Sequence, residues 1–553
     1  MRPEHTQPRP LSALATLLGP GTTLLRPHTG AESAAEVPGE EVRGITHDSR
    51  RVGPGDLYAA LPGTRVHGAV FCAQAAKAGA AAVLTDPEGA ERASETGLPV
   101  LVVPDARAAL GTVAAWVFGD PARDLLLIGT TGTSGKTTIT YLVESGLRRA
   151  GMSTGLIGTV EMRVGDERVA SSLTTPEATD LHGLFALMRE RGVAAAAMEV
   201  SSHALALGRV GGTRYDVAVF TNLSQDHLDF HTDLRDYFET KARLFTPEYC
   251  EIAVVNTDDR FGRALVDMVR ADGAVPVTTF GVEGCSDAAS ANGIPVDWRA
   301  VDVVLGVTGS TFRVVGPGGM EAAASVALPG PFNVSNAMAA IVGLVEAGIP
   351  LDTAISGVAA APGVPGRMEP VVVRTVPGAE QDVTAIVDYS HKPGAIEAVL
   401  SALRTTTRGR LTMVVGCGGD RDRVKRPLMG EAAARLADQV IITNDNPRSE
   451  DPVAIAAAVL EGVAKVPEEQ RAHVTVELDR AEAIALAVDR AGAGDVIVVA
   501  GKGHETGQYA KGRVVPFDDR EVLARALEER LRASARERLG LALQDIHRVP
   551  GEG

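Results

Sequence analysis

Gly129-Thr-Thr-Gly132-Thr-Ser-Gly135-Lys136-Thr137-Thr138 follows the apolar run 125–128 and precedes a segment that reads as a helix. Strand, glycine loop and helix in that order make a phosphate cradle. Small residues let backbone N–H groups point into the loop, and the helix N-terminus favours anions. Lys136 can reach phosphate oxygens, and the Thr137 hydroxyl can hold a magnesium ion. Thr130 stands where the strict G-x-x-x-x-G-K-[ST] pattern has its first glycine, leaving Gly132-x-x-Gly135-Lys136-Thr137. A glycine turn between strand and helix is the competing reading, and the Lys-Thr-Thr that follows weighs against it.

On the C-terminal side of the loop, apolar runs repeatedly end in polar residues. Run 194–198 leads into Glu199-Val-Ser-Ser-His203, run 215–220 into Asn222-Leu-Ser-Gln-Asp-His227-Leu-Asp-Phe-His231, and run 252–255 into Asn256-Thr-Asp-Asp259. In open α/β sheets ligands bind at the carboxyl ends of the strands, so these clusters are expected to converge on the nucleotide. Tyr237-Phe-Glu-Thr-Lys241-Ala-Arg-Leu-Phe245 reads as a helix whose spacing puts Phe238, Leu244 and Phe245 on or beside the face of Lys241. A lysine there is usually solvated, and this spacing is the reason to expect its ammonium to be led inward. Residues 300–330 look like hairpins, and Asn333 and Asn336 sit near the start of an alanine-rich helix, as caps or as readers of a base edge. Two prolines and two glycines within 359–367 mark a linker.

Beyond it the pattern repeats, with runs ending in Asp388-Tyr-Ser-His391, Gly416-Cys-Gly-Gly-Asp-Arg421, Asn444-Asp-Asn-Pro-Arg448 and Gly501-Lys-Gly-His-Glu505. Before the phosphate loop, short apolar runs alternate with alanine-rich helical segments around the polar landmark Thr46-His-Asp-Ser-Arg50, which alone reads as turn chemistry. The fold class is therefore α/β in three domains: residues 1–120, a central phosphate-loop domain 121–362 with a mostly parallel sheet, and a Rossmann-like domain 363–535. A charged helix over 520–539 and a tail, 536–553, follow.

The 553 residues suffice for roughly three or four domains. A formal charge of −16 opposes nucleic acid and anionic membranes, so a polyanionic ligand needs a local basic pocket. Cys72, Cys250, Cys285 and Cys417 are widely spaced, as expected of a protein in a reducing cytoplasm. The apolar stretch 11–18 reads as a packed amphipathic helix, and no run approaches the roughly 20 apolar residues of a membrane span.

These motifs, with Asp48-Ser-Arg50, Phe332-Asn-Val-Ser-Asn336 and Gly366-Arg-Met-Glu369, resemble the Mur ligases over nearly the whole chain. Within that family the likeness is to the UDP-N-acetylmuramoyl-tripeptide synthetases, which add the third residue of the peptidoglycan stem peptide. The resemblance implies ATP as co-substrate, Mg2+, a monomer, and phosphoryl transfer to the carboxylate of UDP-N-acetylmuramoyl-L-alanyl-D-glutamate. The acyl phosphate is then attacked by an amine. It also implies that Thr131, Gly132, Thr133, Ser134, Gly135, Lys136 and Thr137, with Asn333, Arg367, Asp388 and His391, surround ATP. Thr137, Glu199, His227 and a carbamylated Lys241 would organise the metal. Ser49, Thr174, Thr175, Ser201 and Arg209 would hold the UDP-substrate. Arg421, Asp445, Asn446, Pro447, Arg448, Gly501 and Glu505 would hold the amino acid. The four-residue Asp445–Arg448 motif implies diaminopimelate, whose far carboxylate a guanidinium can bind with two parallel hydrogen bonds. Leu207 and His67 depart from the family pattern, which more often has glutamine and aspartate there. A folylpolyglutamate synthase, lacking the first domain, and a nucleotide-switched interaction protein are the alternatives.

Overall fold

The computed structural model describes residues 3–26, 40–169, 173–284, 296–373 and 380–546. Cys285 and the end of the tail, 547–553, lie outside the described residues. The chain divides into two compact units, one of Met1–Val301, Val314–Ala322 and Ser335–Ala361, the other of Asp302–Arg313, Ala323–Val334 and Pro362–Gly553.

The first unit opens with a five-stranded sheet in the order Thr23–Leu25, Val100–Val102, Ala82–Thr85, Asp56–Ala60, Gly44–Thr46, parallel except for Thr23–Leu25. Period-2 alternation explains its two covered faces. Leu57, Ala59 and Leu84 pack with Leu110, Val113 and the helix Leu11–Leu18 on one face, while Tyr58, Ala60 and Val83 pack with Cys72 and Ala75 on the other.

The phosphate-loop strand, Leu126–Thr131, lies between Ala195–Glu199 and Tyr215–Phe220 and is parallel to both. It is interior to an eleven-stranded sheet. Cys250–Asn256, Val277–Val282 and Trp298–Leu305 continue the parallel order on one side, and antiparallel Met162–Val164 and Glu167–Val169 close the other edge. Parallel neighbours require crossovers, and the helices Lys136–Arg149, Ala178–Glu190 and Arg260–Asp272 supply them. Glycine permits a close helix crossing here: a Cβ on Gly357 would lie 2.5 Å from Gly146 Cα. Residues 298–326 form three short strands, as their Val/Thr/Gly content predicts.

The second unit carries a six-stranded sheet in the order Glu369–Pro370, Thr384–Asp388, Val496–Ala500, Leu411–Val415, Gln439–Ile442, His473–Val476. All but the first strand are parallel. Its helices cover both faces, and Leu523, Leu527 and Leu531 of Asp519–Ile546 bury one stripe of an otherwise charged helix at i, i+4, i+8 spacing. No described helix is long and apolar enough to cross a membrane.

Arg480 ties this unit together. Its guanidinium, 1% exposed, donates to Asp519 through Nε and Nη2 at 2.7 Å, to Asn444 O at 3.1 Å and to Ala500 O at 2.9 Å. It thus joins two strand ends to the start of the C-terminal helix. Breaking a buried pair strands the other charge at a cost of about 3–5 kcal/mol. Arg480→Met is therefore expected to lower the thermal midpoint of the purified protein by several degrees. Adding Asp519→Leu should recover part of the loss, and calorimetry of the single and double variants checks both.

Candidate functional site

The phosphate loop is held by the neighbouring strand end. Thr221 Oγ1 donates to Ser134 O at 2.7 Å, Thr133 N donates to Asn222 O at 2.9 Å, and Ser134 N donates to Asn222 Oδ1 at 3.0 Å. Glycine is required twice. Gly132 (φ 147°) would bring a Cβ within 1.9 Å of Thr221 Oγ1, and Gly135 (φ 90°) within 2.4 Å of Asn336 Oδ1. Thr130 is still inside the buried strand, which runs to Thr131, so the turn begins at Gly132. Lys136 Nζ donates to Gly132 O at 2.8 Å and Thr133 O at 3.1 Å.

Lys241 is led inward, as its helix spacing predicts. It is 1% exposed, donates to Gly132 O at 2.9 Å and lies 4.7 Å from the Tyr237 ring centroid. Glu199 is buried beside the loop strand, accepting from Thr159 N (2.8 Å) and Thr159 Oγ1 (3.1 Å). His227 has a φ of 54°, and its Nε2 lies 3.2 Å from Asp226 Oδ2. Its ring meets His203 edge-on at 4.8 Å, and His203 stacks on Phe230 at 4.1 Å. Burial holds the His203 pKa below the usual imidazole value. Among the described residues no three His, Cys, Asp or Glu side chains gather as a metal site. Lys241 is brought to the phosphate loop, and His227 joins an aromatic group.

Of the expected UDP-substrate residues, Thr174, Thr175, Ser201 and Arg209 come together. Thr175 Oγ1 donates to Glu199 O at 2.9 Å and accepts from Ser201 N at 3.1 Å, and Arg209 Nη1 donates to Thr175 O at 3.3 Å. Thr174 Oγ1 is 3.0 Å from Thr159 Oγ1, so Thr159 joins this group to Glu199. Ser201 caps the helix Ser202–Ala206. Ser49 stands apart in the five-stranded domain, its Oγ donating to Gln74 Oε1 at 3.4 Å. There the Arg50 guanidinium holds the Asp48 carboxyl down at about 2. His67 Nε2 is 3.1 Å from Asp86 Oδ1, so a carboxylate is present near the position where the family pattern has its aspartate. Glu177, absent from the sequence reading, bridges Arg209 and Arg107, both at 2.8 Å.

In the second unit Tyr389 gathers three of the expected nucleotide residues. Arg367 lies over its ring at 4.3 Å, and its carbonyl is 2.8 Å from His391 Nδ1. The adjacent Asp388 accepts from Met368 N and Ser390 N, each at 2.8 Å. Burial pushes the His391 pKa down to about 3, so the ring is neutral at physiological pH. Asn333 lies instead near the start of Pro331–Glu346, its amide donating to Pro329 O at 2.8 Å. Tyr389 sits between two motif residues, and only its aromatic character could have marked it.

The strand-end loops 416–421 and 443–450 are laced to each other. Gly419 N donates to Asn446 O at 2.9 Å, Arg448 Nη1 to Gly419 O at 2.7 Å, and Ser449 Oγ to Asp420 Oδ1 at 2.7 Å. Glu450 accepts Asp420 N at 2.6 Å and the buried Arg426 at 2.8 and 3.0 Å. Positive φ at Asp420 (52°) and Arg448 (52°) shows how tightly these turns are held. Gly418 and Gly501 keep the space around Asp445 open, since a Cβ on Gly501 would sit 2.6 Å from Asp445 Oδ2. Burial raises the Asp445 pKa. Asn446 Nδ2 donates to Glu505 Oε2 at 2.8 Å, and Pro447 is buried in the turn. Arg421 Nη1 donates to Asp420 O at 3.3 Å. Guanidinium groups and carboxylates thus share one loop cluster, which suits a zwitterionic amino acid.

Comparison with known proteins agrees with this architecture in all three parts of the chain. Residues 41–116 match the Mur ligase family, catalytic domain, 130–344 the Mur ligase middle domain, and 366–503 the Mur ligase, glutamate ligase domain. A UDP-N-acetylmuramoyl-L-alanyl-D-glutamate–2,6-diaminopimelate ligase of Streptomyces avermitilis is 56% identical over 96% of this chain and 98% of its own. Its counterpart in Corynebacterium glutamicum is 47% identical over 86% of this chain and 89% of its own. A solved structure of a ligase of the same name superposes with a TM-score of 0.65 at 32% identity, covering 90% of this chain and 97% of that one. With domain matches on both sides of the phosphate loop as well as across it, and relatives aligned nearly end to end, the chain belongs to the Mur ligase family.

Proposed function

We propose that this protein is an ATP-dependent ligase that joins diaminopimelate to UDP-N-acetylmuramoyl-L-alanyl-D-glutamate, releasing ADP and phosphate, in the cytoplasm and as a monomer. The carrying observation is the 56% identity to a ligase of that name over 96% of the chain. The loop cluster around Arg448 supports it. Residues 1–120 take the UDP end of the substrate, 121–362 bind ATP, and 363–535 bring the amino acid.

Lys136 and the loop N–H groups hold the ATP phosphates and offset charge on the γ-phosphoryl group as it moves to the substrate carboxylate. Phosphorylation makes a carboxylate oxygen a good leaving group. Thr174, Thr175, Ser201 and Arg209 orient the substrate, with Ser49 on its UDP end. Asn333, Arg367, Asp388 and His391 position the nucleotide. The amine of diaminopimelate then attacks the acyl phosphate, its far carboxylate held by Arg448 and Arg421 and an ammonium by Glu505.

Magnesium fits the donors present. Mg2+ keeps several waters and takes one or two protein oxygens plus substrate phosphates, so a preformed three-side-chain cage is not required. The Thr137 hydroxyl and the Glu199 carboxylate would supply the oxygen donors, with His227 and a carbamylated Lys241 completing the set. When bound, the ion neutralises phosphoryl charge. Lys241 as an ammonium shares Gly132 O with Lys136. Carbamylation, in which the neutral amine adds CO2 and releases a proton, replaces one of two converging cations with an anion.

ADP release by the purified protein is expected to require both the UDP-muramoyl dipeptide and diaminopimelate, and release indifferent to the dipeptide would remove the ligase reading. Lys241→Ala should nearly abolish turnover, and a short carboxylic acid added to that variant should restore part of it by returning anionic oxygens. Full unsupplemented activity would take Lys241 out of the mechanism. Losing a desolvated charge pair costs about 2–5 kcal/mol. Arg448→Ala should thus raise the diaminopimelate KM at least tens-fold while sparing ATP. A wild-type preference for L-lysine by kcat/KM would overturn the role of Arg448.

A further inference from the structure

Lys502 lies within Gly501-Lys-Gly-His-Glu505, between positions assigned to the amino acid, and is 0% exposed. Lysine is rarely so buried unless paired. Its ammonium donates to Gly507 O at 2.6 Å, Asn446 Oδ1 at 3.0 Å and Glu505 Oε2 at 3.2 Å, which uses all three donors. The Asn446 amide is thereby oriented. Its Oδ1 accepts from Lys502 and from Tyr509 N at 3.0 Å, and its Nδ2 donates to Glu505 Oε2 at 2.8 Å. Two bonds therefore converge on Glu505 Oε2, and among the described residues none reaches Oε1. The Glu505 side chain is 30% exposed, so Oε1 remains available to an incoming ammonium.

The same lysine reaches the other end of the cluster. Gly507 begins the hairpin Gly507–Ala510 with Arg513–Pro516, and that hairpin is bonded to the 445–448 turn. Gln508 Nε2 donates to Asp445 O at 2.9 Å, Arg448 N to Tyr509 O at 2.9 Å, and Lys511 N to Arg448 O at 2.7 Å. By fixing Gly507, Lys502 anchors the segment that holds the Arg448 backbone at its positive φ. Both ends of the substrate subsite depend on one buried charge.

We propose that Lys502 is a positioning residue for the amino-acid substrate, setting the Glu505 acceptor through Asn446 and the Arg448 clamp through the hairpin without itself touching the ligand. The proposal rests on the diaminopimelate reading above. A lysine that only filled the core would, on removal, lower stability and weaken all substrates alike. A positioning lysine splits the kinetic constants.

The test measures KM for each of the three substrates, kcat and thermal midpoint in Lys502→Met, which keeps length and removes the charge. Loss of a charge-assisted hydrogen bond predicts a diaminopimelate KM raised by at least about tenfold, with the KM values for ATP and the UDP-muramoyl dipeptide and kcat within about twofold. An unchanged diaminopimelate KM, or parallel losses in all three KM values, would overturn the proposal. If Lys502→Met cannot be recovered folded, Tyr509→Pro decides. Its side chain is 47% exposed and its N–H serves Asn446, so the substitution removes one bond of the same network. A several-fold rise in the diaminopimelate KM alone sustains the proposal, and no change overturns it. Wild-type protein that fails to use diaminopimelate would remove the functional reading itself, a result visible before any variant is made.

Discussion

The Gly132 carbonyl accepts from Lys136 at 2.8 Å and from Lys241 at 2.9 Å, so two ammonium groups from different helices converge on one backbone oxygen. Placing both side chains on that carbonyl requires a loop backbone that is held in place. Thr221, Asn222 and Tyr237 supply that rigidity by bonding Thr133 and Ser134. Their positions follow from strand order, because Tyr215–Phe220 pairs directly with Leu126–Thr131 and so ends beside the loop. The sheet, not the loop sequence alone, makes the cradle.

Much of this was legible in the chain. Parallel strands covered on both faces read as short apolar runs, and the polar residues that end them are the ones that face ligands. That logic singled out 199–203, 221–231, 388–391, 416–421, 444–448 and 501–505, each of which lies at the carboxyl end of a strand, and helical spacing turned Lys241 inward. What escaped were partners chosen across long separations. Thr159 holds Glu199 from 40 residues away, and Gln508 holds Asp445 O from 63. No local pattern marks such residues, because hydroxyls and amides at strand ends and hairpins are common for reasons of turn chemistry alone. Asn333 and Asn336 show the converse. Spacing left capping and base reading open, and the helix starts at Pro331, ahead of both, with Asn333 turned back to Pro329 O.

Prior organisation of the 416–421 and 443–450 loops has an energetic meaning. Ordering a loop at the moment of binding consumes affinity, at about 1–2 kcal/mol for each backbone residue fixed. Here Asp420, Ser449, Glu450 and Arg426 impose that order within the folded unit, and two non-glycine residues are held at positive φ as a result. The strain at Arg448 is the part that points to ligand binding, since it directs the one motif side chain able to form a paired clamp on a carboxylate.

The cations sort into two kinds by what holds them. Arg426, Arg480 and Lys502 are buried against the carboxylates of Glu450, Asp519 and Glu505, and each fixes backbone carbonyls as well. Their charge is met inside the fold. Arg421 and Arg448 rest on carbonyl oxygens, and Arg367 on a ring face. Neutral partners fix direction while leaving positive potential for a ligand, which is how a chain of net charge −16 can present anion sites. Arg209 breaks the division, because it pairs with Glu177, which also holds Arg107 from the first domain. An anion arriving there would meet a guanidinium already half neutralised. Arg209 therefore offers hydrogen-bond direction more than net charge.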